Sequence, residues 1–228
     1  MFDPSFGLLS PAIVDLIVEA TRQTLFMVAV AGVIGTLVGL PLGVFLATSR
    51  TGELLSAPWL NAVLGLLVNA ARSTPFIILV VAIIPFTRLV AGTSIGTQAA
   101  IVPLTVAAAP FIARLIEAAI REVDQGLVEA ARAMGASPLQ IVAKVLLPEA
   151  LPAITLALTL AAVSLIGYSA MVGAVGGGGL GDLGIRFGYQ RFMPEVMAAV
   201  VLVLILLVQA VQSLGDLLAR RLDKRSRG

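Results

Sequence analysis

Neither cysteine nor histidine occurs among the 228 residues. Without cysteine there can be no disulfide, thiol nucleophile or thiolate metal site. Without histidine the commonest general base and metal ligand are missing. Charge is also scarce, at 12% of residues, about half of the roughly 25% usual in a soluble domain. Lysine is limited to Lys144 and Lys224, and no G-x-x-x-x-G-K-[ST] phosphate loop is present. The glycine run from Gly176 to Gly181 is followed by no lysine. These absences argue against a catalytic or nucleotide-binding site in this chain. The basic excess is small, 15 against 13, and Arg220, Arg221, Lys224, Arg225 and Arg227 crowd its C-terminal end. No basic patch suited to nucleic acid emerges.

What remains is apolar: 59% of residues are hydrophobic and the mean hydropathy is +1.04. A chain with so thin a polar coat suits lipid, where a crossing helix needs about 20 apolar residues. Five stretches qualify, running roughly from Thr24 to Ala47, Trp59 to Phe86, Ile95 to Ala113, Leu151 to Ala174 and Val196 to Leu218. The expected fold is an all-α membrane protein of about five transmembrane helices, with residues 1–228 forming one transmembrane domain. The second stretch is long enough to tilt or kink. Pro103 and Pro110 predict a kinked, unbroken third span, since neighbouring helices satisfy freed carbonyls in membranes. Met1-Phe2-Asp3-Pro4 offers no positive segment before an apolar core, so no cleaved signal peptide is expected. Ile13, Leu16, Ile17 and Ala20 follow helical spacing, with Asp15, Glu19 and Arg22 on another face. That segment fits either a helix on the membrane surface or an extension of the first span.

Short loops rich in Lys and Arg stay in the cytoplasm. With the N-terminus outside, the inner loops hold Arg50, Arg114, Arg121, Arg132 and Lys144, and the inner tail adds its five basic residues. The outer segments hold only Arg22, Arg88, Arg186 and Arg191. The balance favours an outside N-terminus and a cytoplasmic C-terminus.

The longest inner loop, from about Arg114 to Pro148, carries helix punctuation. Asp124 is placed to cap a helix over residues 125–134, and Gly135 to end it in the left-handed conformation. Ser137 is placed to cap a second helix with Pro138 at its first position, and Pro148 to mark the return toward the bilayer. Two short helices joined at Gly135-Ala136 should therefore project into the cytoplasm. Glu129 and Arg132, three apart on one face, can pair with each other or with a partner's charges.

The same loop reads Glu129-Ala130-Ala131, three residues, Gly135, nine residues, then Val145-Leu146-Leu147-Pro148. It resembles the EAA-x3-G-x9-I-x-L-P signature of ABC-importer permeases, with Val145 in place of the usual Ile. Arg72-Ser73-Thr74-Pro75-Phe76, Ile101-Val102-Pro103-Leu104-Thr105, Ala109-Pro110-Phe111 and Gly167-Tyr168-Ser169-Ala170-Met171 extend the likeness. From about Thr24 to about Leu218 the chain looks most like the methionine-importer permeases of this family. The resemblance implies a type I importer permease fold and a coupling helix seated on a separate ATPase. Glu129, Ala130, Ala131, Arg132, Gly135, Leu147 and Pro148 would make that contact. It also implies a homodimer, two ABC ATPase subunits that bind ATP and Mg, and an extracytoplasmic substrate-binding lipoprotein. The resemblance further implies a place in the bacterial inner membrane. No cofactor is expected on this chain itself, and methionine, D or L, is the expected cargo. Another small solute, or a stand-alone secondary transporter, is the alternative.

The substrate route is expected where polar groups interrupt apolar helices: Ser73, Thr74, Ser164, Tyr168 and Ser169, with Met171 as an apolar wall. Each hydroxyl could equally serve interhelical hydrogen bonding. Asn69 and Gln98 interrupt spans without an assigned role. The spans carry no acid away from their ends, with Glu53, Glu117 and Glu149 placed in loops and Glu195 and Asp216 flanking the fifth span. Proton coupling is thereby disfavoured. Arg72 falls near the middle of the second stretch, where an arginine costs about 2.5–3.5 kcal/mol, so a structural role at a protein-facing site is preferred. Gly32, Gly35, Gly39 and Gly43 form a small-residue face for close helix packing. The Gly176–Gly181 run is expected to be a flexible connection rather than a close-packed outer gate.

Overall fold

The structure, a computed structural model, describes residues 11–223. The expectation about a signal peptide, and the tail charges Lys224, Arg225 and Arg227, lie outside the described residues. Every regular element in them is helical. In chain order these are α1 (Pro11–Thr48), α2 (Pro58–Ser73), α3 (Phe76–Ala82), α4 (Ile84–Ala91), α5 (Thr97–Arg121), α6 (Gln125–Ala133), α7 (Pro138–Ile141), α8 (Leu147–Gly173), α9 (Gly179–Leu183) and α10 (Pro194–Leu222). Wider π-helical turns join α7 to α8 over Val142–Leu146 and follow α9 over Gly184–Tyr189. Among the described residues four helical stretches are long and apolar enough to cross a bilayer, or five if α2 and α3 are one bent span. The expected all-helical membrane fold is therefore observed.

Several boundaries differ from expectation. The second stretch is broken rather than kinked: α2 ends at Ser73, α3 starts at Phe76, and the bend there is 101°. Pro75 explains the break. It denies its N–H to the helix and pushes Thr74 out of the α region. The third span, by contrast, runs unbroken through Pro103 and Pro110 and continues to Arg121. Residues 114–121 are thus helix, so Glu117 is not in a loop. Glu149 and Asp216 likewise lie inside α8 and α10.

The chain divides into two compact units. One combines the N-terminal segment through Val33 with Thr74–Val106 and Ala162–Val211. In this unit the segment before Thr24 is a direct extension of α1, not a surface-lying helix. Its apolar face is taken by protein: Ile13, Ile17 and Ala20 pack with Leu180, Leu183, Val196 and Val200. The glycine run is likewise not a loose connection. The Gly179 N–H donates to Gln23 Oε1 and the Leu180 N–H to Thr24 Oγ1, both at 2.9 Å. The Gly96 N–H donates to the Gly176 carbonyl. Gly178 and Gly179 have φ of +80° and +76°, which side chains resist. At Gly173 and Gly181 an added Cβ would overlap opposing backbone.

The other unit combines Ile34–Ser73, Ala107–Ala161 and the chain from Gln212 onward. Here α1 lies directly against α5. A Cβ at Gly35 would fall 2.7 Å from Ala108 Cβ, at Gly39 2.7 Å from the Ala109 carbonyl oxygen, and at Gly43 2.7 Å from Ile116 Cβ. The small-residue face is a close-packing face, as expected for membrane helices. Asn61 Nδ2 closes the turn after α1 by donating to the Leu46 carbonyl and to Ser49 Oγ, both at 2.9 Å.

Candidate functional site

The punctuation read from 124 to 148 forms a capped helical hairpin. Asp124 Oδ1 accepts the Gly126 N–H at 2.8 Å and starts α6. At the other end the Gly135 N–H donates to the Arg132 carbonyl and the Ala136 N–H to the Ala131 carbonyl. That pair of bonds closes the last turn around a left-handed residue, and Gly135 supplies it with φ +80°. Ser137 and Gln140 then cap each other's backbone N–H groups in a reciprocal box, with Pro138 at the first position of α7. The S-x-x-Q spacing in the sequence was a legible sign of that box.

The second short helix runs on through Pro148 into α8, so a single helical stretch covers Pro138 to Gly173. Pro148 lacks an N–H, which would break an ordinary α-turn. The π-turn accommodates it: the Leu147 N–H reaches five residues back to the Val142 carbonyl.

The faces of the hairpin are distinct. Val128, Ala131, Ile141, Val142 and Leu146 are buried, and Leu147 is half-buried. Glu129, Ala130, Arg132, Gly135 and Pro148 are exposed. Ala131 therefore serves the hairpin's own packing, not a partner's approach. Met134 and Leu139 are 81% and 70% exposed, a large apolar offering beside charged residues. Among the described residues Glu129 and Arg132 form no ion pair, which leaves both to an outside surface.

The residues proposed for a solute route differ in how their side chains are used. Ser73 Oγ donates to the Asn69 carbonyl at 2.9 Å, and buried Ser169 Oγ to the Ile166 carbonyl at 2.7 Å. Both hydroxyls are used within their own helices. Tyr168 is half-buried and stacks on Phe76. Ser164, Tyr168 and Met171 share one face of α8 at helical spacing, and Met171 is exposed. Thr74 sits exposed at the break between α2 and α3. Arg72 occupies the last turn of α2, where the helix dipole favours a cation. Arg72 is exposed, and its guanidinium carbon lies 5.9 Å from the centre of the Phe111 ring.

A cluster that the sequence reading missed surrounds Glu117, which is only 4% exposed. Its Oε1 is 3.3 Å from Arg50 and 3.0 Å from Arg121, and Oε2 pairs with Arg114. Arg114 also donates to the Gly65 carbonyl at 3.0 Å and to Asn69 Oδ1 at 2.9 Å. Asn69, without a role in the sequence, thereby gains one. Arg114 is the least exposed of the three arginine side chains, at 20% against 35% for Arg121 and 52% for Arg50. The R-x-x-E-x-x-x-R spacing at 114, 117 and 121 was visible, but ending the third span at Ala113 hid its helical register.

Residues 39–228 match the family described as binding-protein-dependent transport system inner membrane component. This chain belongs to that family. Membership makes it a transport-system permease subunit of the inner membrane, not an enzyme. It is 58% identical to a probable D-methionine transport system permease protein of Vibrio cholerae, over 92% of this chain and 94% of that one. Among solved structures, it is similar to a chain of the MetNI methionine ABC transporter in inward-facing conformations. There the identity is 50%, the TM-score 0.93, and the coverage 95% of this chain and 100% of that one. An amino acid ABC transporter described with histidines shares the fold, with a TM-score of 0.79 at 22% identity over 97% of this chain and 100% of that chain.

Proposed function

We propose that this permease subunit passes methionine inward when a pair of separate ATPase subunits closes. The observation that carries the reading is the capped hairpin. It holds Glu129, Ala130 and Arg132 outward and ends on a left-handed Gly135, in a chain this similar to methionine permeases. Met134 and Leu139 supply the apolar part of the ATPase contact, Glu129 and Arg132 the charged part, and Pro148 borders it. Ala131 and Leu147 support that surface from behind.

Two copies of this chain assemble to enclose one route, because so few helices per chain cannot surround a solute. An extracytoplasmic binding protein delivers the substrate, and ATP with Mg sits on the ATPase. The N-terminus faces outward and the C-terminus the cytoplasm, as the distribution of Arg and Lys supports. Thr74, Ser164, Tyr168 and Met171 face the route. The hydroxyls of Ser164 and Tyr168 on the same face of α8 as the Met171 thioether suit a zwitterion with an apolar, sulfur-containing side chain. The two halves of the cycle are inward-open and outward-open states whose populations the ATPase shifts.

Uptake of labelled methionine into vesicles carrying the whole complex tests the assignment. ATP-dependent uptake, reduced by excess D- or L-methionine and not by other amino acids or quaternary amines, is the expected result. Uptake by this chain alone without ATP, or competition by an unrelated solute only, would overturn it.

A further inference from the structure

Glu117 joins segments that are distant in sequence. Arg114 and Arg121 reach it from its own helix, α5, while Arg50 comes from the turn after α1. Arg114 extends the network to α2 through Gly65 and Asn69. One buried carboxylate thus meets three arginines, whereas neutralising its charge needs only one. Arg50 and Arg114 make geometric sense as ties between elements, whereas Arg121 pairs within α5. The turn that carries Arg50 is itself fixed. The Leu55 N–H donates to the Thr48 carbonyl and the Ala57 N–H to the Ser49 carbonyl, both at 2.9 Å.

The hub sits one turn before the end of α5. Only Glu122, Val123 and Asp124 separate α5 from α6. Val123 is buried and its N–H donates to the Ile120 carbonyl, while Asp124 caps α6. So short and hydrogen-bonded a link carries the position of α6 into the last turn of α5. We propose that Glu117 is a positioning residue for transport: it ties α5 to α2 and to the end of α1, so that a displacement of the hairpin moves all three together. This rests on the hairpin being the ATPase contact.

The three arginines allow the idea to be tested apart from stability. Arg50 ties Glu117 to another segment, whereas Arg121 pairs with it inside one helix. The complete complex with Arg50→Gln, with Arg121→Gln and with Glu117→Gln is assayed in vesicles for methionine uptake and ATP hydrolysis. All three variants should co-purify with the ATPase. Uptake per ATP should fall roughly threefold to thirtyfold in Arg50→Gln and Glu117→Gln, the range expected when a coupling network is cut. It should stay at the wild-type value in Arg121→Gln, and Glu117→Asp should recover part of the loss. An unchanged ratio in Arg50→Gln, an equal loss in Arg121→Gln, or failure of Arg50→Gln to assemble would overturn the proposal. Absence of ATP-driven methionine uptake in the wild-type complex would instead strike the permease assignment beneath it.

Discussion

The rings of Phe76 and Tyr168 stack with centroids 4.4 Å apart and planes 12° from parallel. Phe76 opens α3 just after the break at Pro75, and Tyr168 lies in the last two turns of α8. The stack therefore anchors the start of a short helix to the face that bears Ser164 and Met171. Tyr168→Phe should keep the stack and leave the melting temperature unchanged, while uptake falls if the hydroxyl contacts the solute. Tyr168→Ala should lose the stack, worth about 0.5–1.5 kcal/mol beyond its buried area. Thermal unfolding in detergent beside vesicle uptake separates the two effects. Unchanged uptake in both variants would remove Tyr168 from the route.

Gly135→Ala adds a Cβ that meets nothing within 4 Å, so its cost comes from φ +80° alone. That cost should be about 1–2 kcal/mol, too small to prevent membrane insertion. Gly135→Arg adds bulk and charge to the exposed hairpin end. It should still reach the membrane but fail to co-purify with the ATPase. Normal co-purification of the arginine variant would refute the assigned docking surface.

Gly43 and Gly167 make a matched pair. A Cβ at Gly43 would sit 2.7 Å from Ile116 Cβ, whereas at Gly167 nothing lies within 4 Å. Gly43→Val should destabilise the protein by about 1–3 kcal/mol through overpacking. Gly167→Ala should be neutral or raise stability by up to about 1 kcal/mol through helix propensity. Melting temperatures of the two variants check the contrast, and similar values would contradict the close α1–α5 approach.

The hairpin caps should act independently of the apolar contact. Asp124→Ala leaves the Gly126 N–H without its acceptor, and Ser137→Ala opens the reciprocal box with Gln140. Each should cost about 0.5–2 kcal/mol of local stability. Faster amide hydrogen exchange confined to residues 124–141 would show it. Met134→Ser and Leu139→Ser, at exposed positions, should leave exchange unchanged and weaken ATPase co-purification.

Local chemistry made the hairpin legible. Asp124, Gly135, Ser137 and Pro138 act on neighbours within a few residues, so their roles follow from order along the chain. The solute-route residues were less legible. Whether Ser169 or Ser73 offers its hydroxyl outward depends on rotamer and surroundings, and both turn it toward a carbonyl in the preceding turn. The cluster around Glu117 was not legible because α5 continues to Arg121, past the point where hydropathy falls.

By itself the sequence determined the solvent, the helical class and the capped hairpin. Each depends on composition or on interactions a few residues long. Only the tertiary structure decided that the segment before Thr24 extends α1 and is covered by α9 and α10, and that the glycine run is held by Gln23 and Thr24. It alone brought Arg50 to a carboxylate 67 residues away. Those outcomes depend on which apolar face or charge meets which partner across long loops, and helical spacing fixes a face without naming what will cover it.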